Sequence, residues 1–154
     1  MKTPAELLPH KDPMIFISDI RSFDLKNGFL IAHVKIKQSD ILFQSNIGGV
    51  PSYAALEYMA QSVGCFVGLY DLEKNPNNKP AVGFVLGSRR LQINVPVFKL
   101  DEDYLVKVNM LFCDETIASF ECLMYNENTD EQVASAIVNV YRPESVSAFI
   151  KEYT

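Results

Sequence analysis

Residues 51–72, PSYAALEYMAQSVGCFVGLYDL, decide the fold. Helix formers dominate this stretch, and Pro51 suits a helix start because the N–H it lacks would have no intrahelical partner there. Apolar or small residues fall on nearly every side of the helix, which is typical of a helix enclosed by protein. Small residues such as Gly64 and Gly68 would let a surrounding sheet approach closely. We therefore predict a buried central helix over 51–72.

Extended segments flank this helix. Before it, residues 14–25 and 29–37 are predicted strands, and Asn27-Gly28 between them is a strong hairpin signal. After it come four segments rich in β-branched and aromatic residues, namely 82–95, 103–113, 116–126 and 131–141. Apolar and polar residues alternate in the last two, as in an antiparallel sheet with one covered face. The order predicts an α+β fold with an antiparallel sheet wrapped around the helix, in one domain over residues 1–154.

Short helices are predicted at both ends of the chain. Thr3, Pro4 and Glu6 form the pattern of a capping box, with proline at the first helical position. Pro143 is expected to open a terminal helix that ends near Tyr153.

Composition excludes several classes of function. The formal net charge is −5, from 14 Lys plus Arg against 19 Asp plus Glu, which argues against nucleic-acid binding. The three cysteines form no C-x-x-C pair, so they suggest neither a zinc site nor a disulfide framework. We expect no metal and no organic cofactor. Because the sequence has neither a signal peptide nor a membrane span, we expect a cytoplasmic protein.

Glu57 is the only formally charged residue among the thirty between Asp40 and Asp71. Burying an unpaired carboxylate is costly, so such a group usually gains dedicated partners or a raised pKa, and it can then act as a general acid or base. Alternatively, Glu57 lies near solvent and only interacts favourably with the helix dipole. Gln61 lies on the same helix face and could hydrogen-bond Glu57 or a ligand.

Paired glycines precede the helix. The backbone N–H groups of Gly48 and Gly49 could face a ligand oxygen at the helix N-terminus, or the pair could form an ordinary turn that needs a positive φ angle.

Three motifs resemble the hotdog-fold (3R)-hydroxyacyl-acyl-carrier-protein dehydratases. Leu8-Pro9-His10 resembles the family's opening L-P-H before the first strand. Glu57-Tyr58-Met59-Ala60-Gln61 resembles its E-A-M-A-Q helix, and Gly87 with Pro96-Val97 matches the following strand. The resemblance implies a hotdog fold that acts as a dimer on 3-hydroxyacyl thioesters of acyl carrier protein.

One departure is informative. Asn46 stands where the family's catalytic histidine would be, and the interval from there to Glu57 is three residues shorter than in the family. The sequence is more similar to the dehydratase-like proteins of aryl-polyene and pigment clusters, through Gly49-Val50-Pro51 and Leu86-Gly87-Ser88-Arg89-Arg90. In such dimers each active site draws residues from both subunits. The resemblance therefore implies that Glu57 faces a histidine of a partner hotdog subunit.

The resemblance also implies roles for single residues. Glu57 would be the general acid, and Gln61, Asn46 and the backbone near Gly48, Gly49 or Gly87 would contact the substrate. His10 is expected to be structural and His33 an ordinary strand residue, while Arg89 or Arg90 could attract an acidic carrier protein. Tyr53, Tyr58, Phe66 and Tyr70 would pack in the core or line the acyl tunnel.

Two other functions remain open. A hotdog acyl-thioesterase needs only one helix carboxylate and no histidine. A non-catalytic hotdog subunit would bind only an acyl chain or a partner. Whether the dimer partner is a second copy of this chain or a paralogue also stays open. We expect neither a nucleic acid nor a membrane as a partner.

Overall fold

The computed structural model describes residues 2–77, 84–114 and 116–141. Six strands form one antiparallel sheet in the order β1-β2-β6-β7-β8-β4, and two short strands, β3 and β5, form a second. The helices are α1 (Pro4–Leu7) and α2 (Ala55–Lys74), with a 3₁₀ turn at Ser52–Ala54. The strands are β1 (Asp19–Asp24), β2 (Phe29–Lys35), β3 (Gly49–Pro51), β4 (Phe84–Ile93), β5 (Val97–Lys99), β6 (Asp103–Cys113), β7 (Ile117–Asn126) and β8 (Gln132–Tyr141).

The sheet packs around α2, because both contribute aromatic side chains to one core. Phe66 of α2 meets Phe120 of β7 edge-to-face, with ring centroids 5.5 Å apart. One end of the helix is fixed by Tyr58, whose ring lies 5.9 Å from Phe98, which in turn lies 5.0 Å from Tyr104. The apolar residues that alternate along β7 and β8 face this core, with Phe120 and Val138 fully buried. The predicted hotdog architecture is confirmed.

Most predicted elements are present, with three differences. The central helix begins at Ala55 and not at Pro51, because Pro51 pairs in β3 and Ser52–Ala54 form a 3₁₀ turn. Residues 14–18, predicted as the start of the first strand, are not in a strand, and β1 begins only at Asp19. The pair β3–β5 was not predicted, since each strand has only three residues. Gly49 makes this pair possible: a Cβ there would lie 2.1 Å from the carbonyl oxygen of Phe98. The predicted helix from Pro143 falls outside the described residues.

The N-terminal segment lies across α2. The Glu6 carboxylate accepts hydrogen bonds from the Thr3 backbone N–H and hydroxyl, as expected of the capping box. The chain then passes so close to α2 that a Cβ at Gly64 would lie 2.7 Å from a Leu8 methyl carbon. These contacts place residues 7–10 along one side of the helix.

Candidate functional site

A cavity of about 300 Å³ lies between α2 and the N-terminal segment. Its helix wall runs from Leu56 to Asp71, roughly 22 Å at the rise of an α-helix. Residues 7–10 form the opposite wall, and Val140 of β8 contributes from the sheet. Most of the helix wall is apolar or small, formed by Leu56, Ala60, Val63, Gly64, Val67 and Gly68. The cavity therefore suits a long, largely apolar ligand.

Glu57 lines this cavity at the N-terminal end of α2. It is the third residue of the helix and is exposed in the single chain. The expectation of a buried carboxylate is therefore wrong for the isolated chain, because this face of α2 is not covered by the sheet. The position agrees with the alternative, a carboxylate near solvent where the helix dipole favours negative charge. Exposure also leaves Glu57 accessible to a ligand in the cavity.

Gln61 is one turn further along and is 2% exposed. Its amide oxygen accepts a hydrogen bond of 2.8 Å from the backbone N–H of Phe16. Its amide nitrogen donates one of 2.6 Å to the carbonyl oxygen of Met14. The side chain is thus bound to the N-terminal segment and does not turn toward Glu57. The suggested role as a hydrogen-bonding neighbour of Glu57 is corrected accordingly.

The loop before α2 forms a tight turn between Gln44 and Gly49. Gly48 adopts a positive φ of 69°, and its backbone N–H donates to the carbonyl of Ser45. The N–H of Gly49 donates to the carbonyl of Gln44. Both glycine donors are used inside the turn, so the structure favours the turn interpretation over ligand binding by these N–H groups. Asn46 is exposed at the tip of the turn.

Gly87 lies on β4, apart from the residues that line the cavity. It pairs with Asn139 of β8, next to a register shift between Val85 and Gly87. Arg89 and Arg90 follow on the same strand, and both are exposed. Arg90 has a φ of 55° within a second irregularity, so the simple alternation that would send the two arginines to opposite faces is interrupted.

The two histidines have different surroundings. His10 is exposed and lines the same cavity as Glu57, although a structural role was expected from the family resemblance. Only the L-P-H motif pointed to this residue, and the motif does not reveal that the segment folds back over α2. His33 is buried on β2 and lies outside the cavity lining.

His33 belongs to a network of charged residues on the sheet. Nδ1 lies 2.8 Å from an Asp19 carboxylate oxygen, and Nε2 lies 2.6 Å from one of Asp103. Side-chain atoms of His33, Asp103 and Glu127 that could coordinate a metal ion lie within 4.8 Å of one another. However, Arg21 already pairs with the Glu127 carboxylate at 2.6 Å. The arrangement is that of an ion-pair network.

The four aromatic residues of the predicted central helix do not share one environment. Tyr58 and Phe66 are core residues, and burial raises the pKa of the Tyr58 hydroxyl. Tyr70 stacks on Phe66. Tyr53 is 70% exposed in the 3₁₀ turn, so it is neither in the core nor in the cavity of the single chain.

Together, the sheet, the enclosed helix and the helix carboxylate define a protein of the hotdog class with an apolar, acid-bearing cavity. Residues 2–151 match the ApeP-like family, described as ApeP dehydratase. The chain belongs to this ApeP-like dehydratase family.

Curated relatives match over a shorter region. The 3-hydroxyacyl-acyl-carrier-protein dehydratase FabZ of Chlamydia trachomatis is 28% identical over 94 residues. The match covers 59% of this chain and 60% of that protein's length.

Solved structures share the fold. One chain of the dehydratase heterocomplex ApeI:P from Xenorhabdus doucetiae superposes with a TM-score of 0.88 at 22% identity, covering 100% of this chain and 99% of that one. A hypothetical thioesterase from Streptococcus pneumoniae, solved with coenzyme A, gives a TM-score of 0.59 at 15% identity, covering 81% and 84%. Among the described residues, no helix is both long and apolar enough to cross a membrane.

Proposed function

We propose that this chain is the glutamate-bearing subunit of a heteromeric dehydratase that acts on 3-hydroxyacyl thioesters of acyl carrier protein. The observation that carries the proposal is Glu57, an accessible carboxyl at the end of an apolar cavity long enough for an acyl chain. Membership of the dehydratase family supports this reaction class.

The chemistry divides between two groups. A base removes a proton from the carbon next to the thioester carbonyl, and the protonated Glu57 carboxyl gives its proton to the departing 3-hydroxyl. The bond from carbon to that oxygen breaks, water leaves, and a double bond forms between the second and third carbons. Such paired proton transfer requires the base to reach the hydrogen on the second carbon and the Glu57 carboxyl to reach the 3-hydroxyl oxygen.

A partner subunit is proposed as the source of the base. Asn46 cannot act as a base at neutral pH, because neither atom of its side-chain amide takes up a proton there. A likeness to one chain of a dehydratase heterocomplex is consistent with a paralogous partner. Strand β4 provides a surface for it: it is an edge strand of the sheet, and an edge strand has backbone groups free to pair with another chain.

The acyl chain is proposed to lie along α2 between Ala60, Gly64 and the N-terminal segment. Small side chains there leave room for methylene groups, and burying each one contributes about 0.8 kcal/mol. The carrier protein would stay outside, where Arg89 and Arg90 offer positive charge to an acidic surface.

The first experiment compares the purified chain, a hotdog dehydratase subunit that carries the motif histidine, and the co-purified pair on a 3-hydroxyacyl carrier protein. We expect formation of the 2,3-double bond only with the pair. Full dehydration by the chain alone would contradict the heteromeric proposal. His10→Asn would then test whether the histidine in the cavity supplies the base within this chain.

The second experiment tests Glu57 in the co-purified pair. We expect Glu57→Gln to reduce turnover roughly 10²-fold or more, because the amide cannot donate a proton to the leaving hydroxyl. Glu73→Gln is the matched control, since Glu73 is an exposed glutamate of α2 outside the cavity lining.

The same assay separates the alternatives. Release of free thiol without a double bond would identify an acyl-thioesterase. Unchanged dehydration in the Glu57→Gln pair would identify a non-catalytic subunit.

A further inference from the structure

Gln61, on the helix wall of the cavity, binds the N-terminal segment just beyond the residues that form the opposite wall. Residues 14 and 16, which it binds, belong to the stretch between α1 and β1, where residues 15–18 have no regular secondary structure. Within this stretch Ser18 bonds to β2, since its N–H donates to the carbonyl of His33, whereas Met14 and Phe16 have the amide of Gln61 as their acceptor and donor partner. Buried amide bonds of this kind are costly to break, because both backbone groups would remain unpaired.

Two glycines continue the same attachment along α2. A Cβ at Gly64 would meet a Leu8 methyl at 2.7 Å, and one at Gly68 would meet the carbonyl oxygen of Leu7 at 2.8 Å. Gln61, Gly64 and Gly68 therefore hold the N-terminal segment at successive turns of the helix. Only Gln61 does so through directed hydrogen bonds.

The residues that Gln61 binds are joined to the cavity wall by a turn, in which the Met14 N–H donates to the carbonyl of Lys11. Leu7, Leu8, Pro9 and His10 line the cavity from one side, while Gln61 and Gly64 line it from the other. A shift of the segment away from α2 would widen the cavity along its length and remove apolar contacts from a ligand.

We propose that Gln61 is a positioning residue that fixes the N-terminal wall of the cavity and thereby sets the length of acyl chain that the cavity accepts. The acyl part of this statement rests on the proposed function. The attachment of the N-terminal segment by Gln61 does not rest on that function, so the attachment and the chain-length role can be contradicted separately.

The decisive variant is Gln61→Glu. A protonated carboxyl group offers one O–H donor and one carbonyl acceptor, the same pair that the amide uses toward Met14 and Phe16. The ionised form offers only acceptors and would repel the Met14 carbonyl oxygen. This variant should hold the wall at low pH and release it at high pH, whereas Gln61→Met should release it at every pH.

The attachment is measured by hydrogen exchange of residues 8–18 in the full chain. We expect Gln61→Met to accelerate exchange there roughly tenfold or more, with residues 104–110 of β6 unchanged. Gln132→Met, the same change at an exposed position, is the control. If exchange at residues 8–18 of Gln61→Met equals that of wild type, the proposal is overturned.

Chain-length selection is measured with neutral probes, hexadecanoyl and hexanoyl pantetheine thioesters, on the chain and on its complex. We expect the ratio of long-chain to short-chain affinity in Gln61→Glu to match wild type at about pH 5 and to fall roughly tenfold by about pH 8. The other ionisable groups lining the cavity, Glu57, Asp71 and His10, are common to both proteins, and Gln61→Met, which adds no charge, shows whether a pH effect comes from the new carboxyl.

A ratio in Gln61→Glu that follows wild type at every pH would overturn the selection role. If wild type binds neither probe, the proposed acyl function fails, and with it the selection role; the exchange measurement then still decides the attachment.

Discussion

The three cysteine thiols differ in what surrounds the sulfur. Cys65 of α2 and Cys122 of β7 are fully buried in the core. Loss of hydration disfavours the charged thiolate and raises the pKa of each to about 12. Cys113 lies half-buried at the end of β6. Because the thiolate is the reactive form, this residue should account for the thiol chemistry of the folded chain.

We therefore expect iodoacetamide at about pH 8 to alkylate Cys113 and to leave Cys65 and Cys122 unmodified until the protein unfolds. Peptide mass spectrometry before and after addition of guanidinium measures the three rates. Labelling of Cys122 in the native protein as fast as Cys113 would show that the core around β7 opens readily.

Among the elements, α2 determines how closely the N-terminal segment can pack. Glycine inside a helix normally costs about 1 kcal/mol relative to alanine. Two such glycines in one helix indicate that packing outweighs this cost. At Gly68 the obstacle to a side chain is the backbone of Leu7, whereas at Gly64 it is the end of the flexible Leu8 side chain.

We expect Gly68→Ala to lower the free energy of unfolding by about 1–3 kcal/mol, because the Leu7 backbone must move. Gly64→Ala should change it by less than about 1 kcal/mol, since a Leu8 rotamer change and the better helix propensity offset each other. Urea denaturation of both variants measures the difference. Equal effects at the two positions would mean that the segment moves as a unit.

The elements that the sequence predicted are those with many periodic residues. The limits of β6 were predicted to the residue, and the long helix differs by a few residues at each end. Residues 14–18 misled the prediction because their apolar pattern is that of a strand, while the backbone N–H of Phe16 bonds to a side chain 45 residues away. No local pattern encodes such a contact.

The site was predicted unevenly for the same reason. Glu57 was recognisable because it is the one charge in a long uncharged stretch and lies in a known motif. Gln61 lies in the same motif, but its partners come from a distant segment. The position of His10 in the cavity depends on the path of the N-terminal segment, which is a property of the folded chain.

Across the whole molecule, a charge network joins three strands of the sheet. His33 of β2 lies between Asp19 of β1 and Asp103 of β6. The His33 ring lies within hydrogen-bonding distance of both carboxylates, at 2.8 Å from Asp19 and 2.6 Å from Asp103. The bond from His33, followed by the charge of Lys35, holds the pKa of Asp103 below its ordinary value of 3.8.

This lowered pKa links folding to pH in a definite direction. A carboxyl group whose pKa is lower in the folded state contributes stability above its unfolded pKa and loses it as the pH falls through the folded value.

We expect Asp103→Asn to reduce the free energy of unfolding at neutral pH, and the difference from wild type to shrink as the pH drops below about 4. Urea denaturation between about pH 7 and pH 3 gives the difference curve, in which acidic residues outside this network cancel. Glu121→Gln, at an exposed carboxylate of β7 in the same sheet, should show neither effect. A deficit for Asp103→Asn that stays constant down to the lowest pH would mean that packing, rather than the charge shared with His33, makes this residue stabilising.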